Sequence, residues 1–467
     1  MIWIIAQKEI RDNLLSLRFL LLFLLAVVFI PASLYTNYRA YQARLSDQQQ
    51  VEKSNREYLR NLQVTQIFTA ANFAIDIYWP PSPASVFAEG FEDIHPRHLV
   101  VGKNSVEYGA PLAVGSSMGL FGSIDYLFVV EFVFSLFAIL MSFDAITREK
   151  ENGTLRSILA NAVSRPVLAT GKLVGGYVTL ALPLVVSFLV GLLTLQLSGM
   201  SVFEPEFLAR AEWVLVSSLL YIAVFFLLGL LVSSSVSSTY AALVLSLAVW
   251  LTVVLVLPRA GSLAAQLWRP VKSDQVVWLE KLSAANAIEM EKGKAVQDAG
   301  LFPKTNPSAE EWGKLQKRRS EVAAPFEDRA VQAIRRIEGD YRRRKAEQVD
   351  LGLTLARLSP AGAFVNFATE MSDTGIRAAD RFTNDAEQYR EVLQQELFSK
   401  ILRYVIPGVG ITMGLTGPIN PATLSEFRLA RVRARDSVAG VDIAILLSWF
   451  LAAAVLTYGA LARYDVR

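Results

Sequence analysis

Six stretches of this chain are long and apolar enough to cross a lipid bilayer, and no other feature restricts its fold as strongly. A helix needs about 20 mainly apolar residues to traverse the hydrocarbon core. The stretches run 19–35, 121–143, 173–197, 213–232, 240–257 and 441–462. In lipid each backbone N–H and C=O must be satisfied within the spanning element, so runs of this length read as α-helices. The expected fold is an all-α polytopic membrane protein. It has six transmembrane helices, an amphipathic N-terminal interfacial helix and two mainly helical extracytoplasmic domains. The first stretch does not read as a cleaved signal peptide, because its apolar core is long and no small-x-small site follows it.

Orientation follows from Lys and Arg in the short flanking segments. The leader, 1–18, carries Lys8, Arg11 and Arg18; the segment 144–172 carries Arg148, Lys150, Arg156, Arg165 and Lys172; the tail carries Arg463 and Arg467. Six spans place these three segments on one side, which is then cytoplasmic, with both termini. The loop before the fourth span sets Glu204, Glu206 and Glu212 against Arg210, as expected outside. Two long segments, 36–120 and 259–437, fall outside as well. In the leader Trp3, Ala6, Ile10, Leu14 and Leu17 recur at helical spacing, while Lys8, Arg11 and Asp12 face elsewhere. That pattern suits a helix lying in the headgroup layer.

The first outer segment opens with a polar helical stretch, 38–62, and breaks at Trp79-Pro80-Pro81-Ser82-Pro83. In the second, Ala323, Phe326, Ala330, Ile334, Ile337 and Tyr341 form one apolar helical stripe flanked by Arg335, Arg336, Arg342, Arg343, Arg344 and Lys345. Pro325 suits the first turn of that helix. The charged faces read as solvated surface, the alternative being a basic surface for acidic headgroups, glycans or a partner. A further helix over 385–404 leads into a Gly/Pro-rich linker, 407–421.

The chemistry available to the chain is narrow. It has no cysteine and only two histidines, which excludes disulfides, thiolate nucleophiles and Cys-based metal sites. His95-Pro96-Arg97-His98 has the wrong backbone for two ligands on one helical face and no clustered acidic partner, so no metal is expected. A net charge of +3 favours no nucleic-acid partner. Gly171-Lys172 is followed by Leu173, and Pro166 stands where a phosphate loop needs its first glycine, so the chain holds no nucleotide in that way. Glu131 is the one ionisable residue well inside a span. A carboxylate in hydrocarbon faces the protein interior or a wet cavity, or is protonated, which makes Glu131 an intramembrane candidate for a substrate path or a proton-linked role. No basic partner lies within another span.

The most specific feature follows the second span. It reads Phe143-Asp144-Ala145-Ile146-Thr147-Arg148-Glu149-Lys150-Glu151-Asn152-Gly153-Thr154-Leu155, then Ser164-Arg165-Pro166 and Gly171-Lys172. A charged stretch ends at Asn152-Gly153, and Thr154 caps a second short helix with Leu155, Ile158 and Leu159 on one face. Two short helices returning to the membrane make a compact knob. This pattern resembles that of ABC transporter permeases of the type-2 exporter class, with its glutamate-bearing segment, Gly-Thr-Leu, Ser-Arg and Gly-Lys between the second and third spans. The long outer loops look like those of a subgroup serving gliding machinery and copper-enzyme maturation.

The resemblance implies a non-catalytic transport subunit in a bacterial inner membrane. It implies that Arg148, Glu149, Lys150, Glu151, Gly153, Thr154, Leu155, Ile158 and Leu159 contact a separate cytosolic ATPase. That partner would hold ATP and magnesium, and this chain no cofactor. A second permease subunit would pair with it as a homo- or heterodimer, and the outer domains leave room for a periplasmic partner. The rival reading is a membrane-anchored assembly or sensor protein whose spans only hold it in the bilayer.

Overall fold

The computed structural model describes residues 1–61, 74–90, 98–102, 106–108, 124–160, 163–302, 308–401, 425–429, 432–438 and 440–463. It contains six helices long and apolar enough to cross a membrane, and each contains most or all of one apolar stretch: Leu17–Tyr58, Tyr126–Glu151, Arg165–Leu197, Pro205–Ser235, Thr239–Trp268 and Gly440–Ala462. The helices outrun the apolar windows because polar flanks start and stop them. Pro205 opens one directly, and another starts at Arg165 with Pro166 in its first turn. Proline there costs little, since those N–H groups lack helical partners anyway.

The chain opens with α1 (Ile2–Leu14), which lies on α6 (Arg165–Leu197). Contact is close because glycines face it. A Cβ on Gly171 would meet Ile5 at 2.7 Å, and one on Gly175 would meet the Ala6 carbonyl at 2.7 Å. Ala6 is buried there, while Trp3 and Ile4 stay exposed. The next helix, α2 (Leu17–Asn61), has 45 residues and so is about 68 Å long, more than twice the hydrocarbon thickness. The expected polar helix over 38–62 is its continuation.

Beyond the end of α2, the first outer segment also contains strands. It forms an antiparallel sheet in the order β1 (Ala74–Tyr78), β2 (His98–Gly102), β3 (Val106–Tyr108), with Ile75 opposite Val101 and Leu99 opposite Tyr108. Strands this short carry too few alternations to announce themselves. Ile75, Ile77, Trp79, Leu99 and Val101 share one apolar cluster with Ala378, Phe382 and Leu393 of α12 (Ile376–Ile401).

The second span, α3 (126–142), contains a π-helical turn at Val129–Phe134. After α4 (Thr147–Glu151), α5 (Thr154–Ala160) and α6 come α7 (Pro205–Ser235) and α8, which runs unbroken from Thr239 to Trp268 through a second π-helical turn at Thr252–Val256. A hairpin follows, α9 (Asp274–Asp298) and α10 (Ala309–Ala356). The stripe of Ala323, Phe326, Ala330, Ile334, Ile337 and Tyr341 is the half-buried face of α10. Pro325 does not start this helix; a capping box at Ser308 and Glu311 does, and Pro325 lies inside it. Short α11 (Pro360–Met371) is buried among the spans, with Phe364 stacked on Tyr221 at 4.4 Å. Beyond α12, α13 (Ala434–Ser437) precedes the last span, α14 (Gly440–Ala462). The 407–421 linker lies outside the described residues.

Candidate functional site

Helix α1, the described parts of the 144–172 segment and the end of the last span meet at one end of the helix bundle. Ile146, Leu155, Leu168, Leu230 and Leu461 form an apolar cluster there, with Ile5 and Ile158 packed on its edge. The knob predicted from sequence exists, as α4 and α5. Gly153 joins them with φ of +72°, a left-handed conformation that a side chain disfavours. Nothing lies near its missing Cβ, so the constraint is conformational rather than steric.

Three charged residues of α4 reach neighbouring elements, Glu149 and Lys150 half-buried and Glu151 exposed. Glu149 accepts from Lys172 at 2.8 Å, and Lys172 also reaches Glu9 of α1 at 2.8 Å. The Lys172 side chain is 3% exposed. A buried ammonium is stable only when nearby carboxylates repay the cost of desolvation, so this triad locks α1, α4 and α6 together. Lys150 donates to the carbonyls of Ser234 at 2.5 Å and Val236 at 2.9 Å, at the C-terminal end of α7. Glu151 accepts from the backbone N–H of Thr239 at 2.7 Å and from its hydroxyl at 2.6 Å, at the first residue of α8. Each charge matches the dipole of the helix end it meets, cation at the carbonyl end and anion at the N–H end. The Ser233 hydroxyl accepts the backbone N–H groups of Ile146 and Thr147, completing the seam.

Leu155 is fully buried in this chain's own cluster, and Ile158 is half-buried beside it. The expectation of an apolar face waiting for another protein is thereby corrected at Leu155. The first turn of a short helix needs a core, and α6, α7 and α14 supply it. Leu159 belongs to α5, but its side chain is outside the described residues. What the knob exposes is Arg148, Glu151, Asn152, Gly153, Thr154, Arg156, Ser157 and Ala160. The Arg148 side chain is 65% exposed while its guanidinium holds Asp144 at 2.7 Å. Asp144 also takes Arg18 at 3.2 Å, which ties the base of α2 to the knob.

Glu131 sits in the π-helical turn of α3, whose irregular backbone is satisfied by side chains. Its carbonyl accepts from the Tyr221 hydroxyl at 3.0 Å and from Ser135. Trp250 of α8 donates to the Ser135 hydroxyl at 2.9 Å. His98 pairs with Asp76 at 2.8 Å across the sheet; His95, Pro96 and Arg97 lie outside the described residues. Among the described residues no group of His, Asp and Glu is arranged to hold a metal.

A family model described as ABC-2 family transporter protein matches residues 3–466, nearly the whole chain. The chain belongs to the ABC-2 transporter family. It is a multi-pass, non-catalytic membrane subunit, the permease of an ABC transporter. Among curated proteins, none matches it significantly. In the permease, sequence reasoning missed the contacts that Glu9, Ser233 and Thr239 make behind the knob, away from its exposed face. Glu9 and Lys172 each left a weak signal, a charge at the border of an apolar helical face. Ser233 and Thr239 left none, because a serine-rich turn looks the same whether or not another element caps it.

Proposed function

We propose that this permease couples nucleotide turnover in a separate cytosolic ATPase to work on an extracytoplasmic cargo or partner, and that the α4–α5 knob is where the ATPase docks. The observation that carries this reading is the knob's attachment. Five side chains, Asp144, Glu149, Lys150, Glu151 and Leu155, bind it to α1, α2, α6, α7 and α8 at once. A loop that only linked two spans would need no such fastening. A displaced knob must carry the near ends of these helices with it. The docking face is then the exposed one, Arg148, Gly153 and Thr154 with Asn152 and Arg156, while Glu149, Lys150, Glu151, Leu155 and Ile158 pass the movement inward.

In this reading the near end and both termini are cytoplasmic in a bacterial inner membrane, as the Lys/Arg distribution supports. ATP and magnesium belong to the ATPase, and two permease subunits pair around the path. The chain has no cysteine, so single cysteines report topology cleanly. Ser54→Cys and Ser308→Cys should react with an impermeant maleimide from outside, and Ser157→Cys only in inverted vesicles.

The decisive experiment is purification from solubilised membranes. An ATPase subunit should accompany the wild type, and Arg148→Glu with Arg156→Glu should reduce its recovery about tenfold, the effect of reversing charges at a docking face. Absence of any ATPase from a stable wild-type preparation would favour the anchored-assembly reading instead.

A further inference from the structure

The helix whose first turn Glu151 holds is also the helix that leaves the far end of the bundle and begins the outer hairpin. From Thr239 to Trp268, α8 is continuous. Its outer part lies against the end of α10 so closely that a Cβ on Gly261 would sit 2.8 Å from the Ala356 backbone nitrogen, and Gly352 faces Ala265. The two arms of the hairpin are then fastened along their length. Arg269 pairs with Glu347 at 3.3 Å, Gln348 donates to the Arg269 carbonyl at 2.6 Å, Tyr341 bonds Asp274, and Arg329 pairs with Glu291 at 2.9 Å. A continuous connection thus runs from the knob along the hairpin.

The same helix is loosely held across the membrane. Of its span window 22% is buried, against 72% for α7 beside it. One of its hydrogen-bonded fixed points is the π-helical turn, where the Ser359 hydroxyl donates to the Val253 carbonyl at 2.6 Å. π-helical turns break the regular ladder and often mark functional sites in helices. With Val253 as pivot, the inner arm to Thr239 is about 21 Å and the outer arm to the hairpin tip about 80 Å at 1.5 Å per residue. The ratio is about four, so a 2 Å push at Thr239 moves the tip by about 8 Å.

We propose that α8 is a lever, that the Glu151–Thr239 contact is its input joint, and that the hairpin α9–α10 is its moving output arm, acting on a partner outside the membrane. Thr239 is here a positioning residue. The proposal rests on the knob being the ATPase contact.

The geometry permits a selective cut. Thr239 is the first residue of α8, and Ser238 before it has φ −107° and ψ 132°, a conformation compatible with a following proline. Thr239→Pro therefore removes both donors to Glu151 while suiting the helix start. Thr239→Ser keeps both donors. The experiment uses the full chain with its ATPase in nanodiscs, spin-labelled at Ser54→Cys and Ser308→Cys, with the distance between them measured with and without ATP trapped by vanadate. The wild type and Thr239→Ser should show a nucleotide-dependent shift of several ångströms. Thr239→Pro should lose at least half of it, while still binding the ATPase and hydrolysing ATP. A full shift in Thr239→Pro would overturn the joint. A hairpin that stays still in a wild type that binds and hydrolyses would overturn the lever and leave the permease reading intact. Failure of the wild type to bring down any ATPase would overturn both.

Discussion

Helices α7 and α8 are joined by a three-residue turn and have almost equal mean hydropathy, 2.7 and 2.5, yet the fold uses them in opposite ways. Around α7 gather α3, α6, α11 and α14, and Tyr221, Ile222, Val224, Phe225 and Phe226 are all buried on several of its faces. Along α8, Tyr240, Val244, Leu247 and Leu251 remain exposed on the outside of this chain. Aromatic bulk and small residues explain much of the difference. Gly229 lets α3 approach so closely that a Cβ there would fall 2.0 Å from the Ser142 hydroxyl, and Gly176 of α6 makes room for the ring of Phe226. Close approach through small residues is how helices gain packing energy in lipid, where burial of apolar surface gives no advantage. A helix without it stays on the rim, free to tilt, to face lipid or to meet another subunit.

The comparison can be broken at several strengths. The largest effect is expected at the seam below α7. Leu155→Asp places a charge in a closed apolar cluster, at a cost of several kcal/mol. It should unfold the near end rather than merely detach a partner, which loss of monodispersity in detergent and a lowered thermal midpoint would show. A wild-type melting profile would mean the knob does not pack on α7.

Next comes Lys172→Met, expected to cost about 3–5 kcal/mol because Glu9 and Glu149 lose their shared cation. Neutralising the acids in the same chain, as Lys172→Met with Glu9→Gln and Glu149→Gln, should recover most of that stability. If the triple variant were no better than the single one, the triad would not be the source of the loss.

Gly229→Leu tests the hub directly. Overpacking against Ser142 and Ile139 should cost about 1–3 kcal/mol in resistance to denaturation. The smallest effect belongs to the rim. Leu251→Ala on the exposed face of α8 should change chain stability by less than about 0.5 kcal/mol. A larger loss in the assembled complex than in the isolated subunit would show that a second subunit covers that face.

Much of the permease is legible in its residues taken in order. The six spans emerge because transfer into hydrocarbon is close to a sum over consecutive residues, and nothing distant needs to be known to form that sum. The knob between the second and third spans, its turn at Gly153 and the missing phosphate loop are equally local facts. What the sequence leaves open is which way a charged residue turns. Glu149, Lys150 and Glu151 read as one solvated run, and only the folded chain brings Lys172, Ser234 and Thr239 to meet them, 23 to 88 positions away. The same holds for the sheet whose core includes Phe382. Apolar character is a property that each residue carries alone, whereas the energy of a buried charge depends on a partner that tertiary structure alone can place.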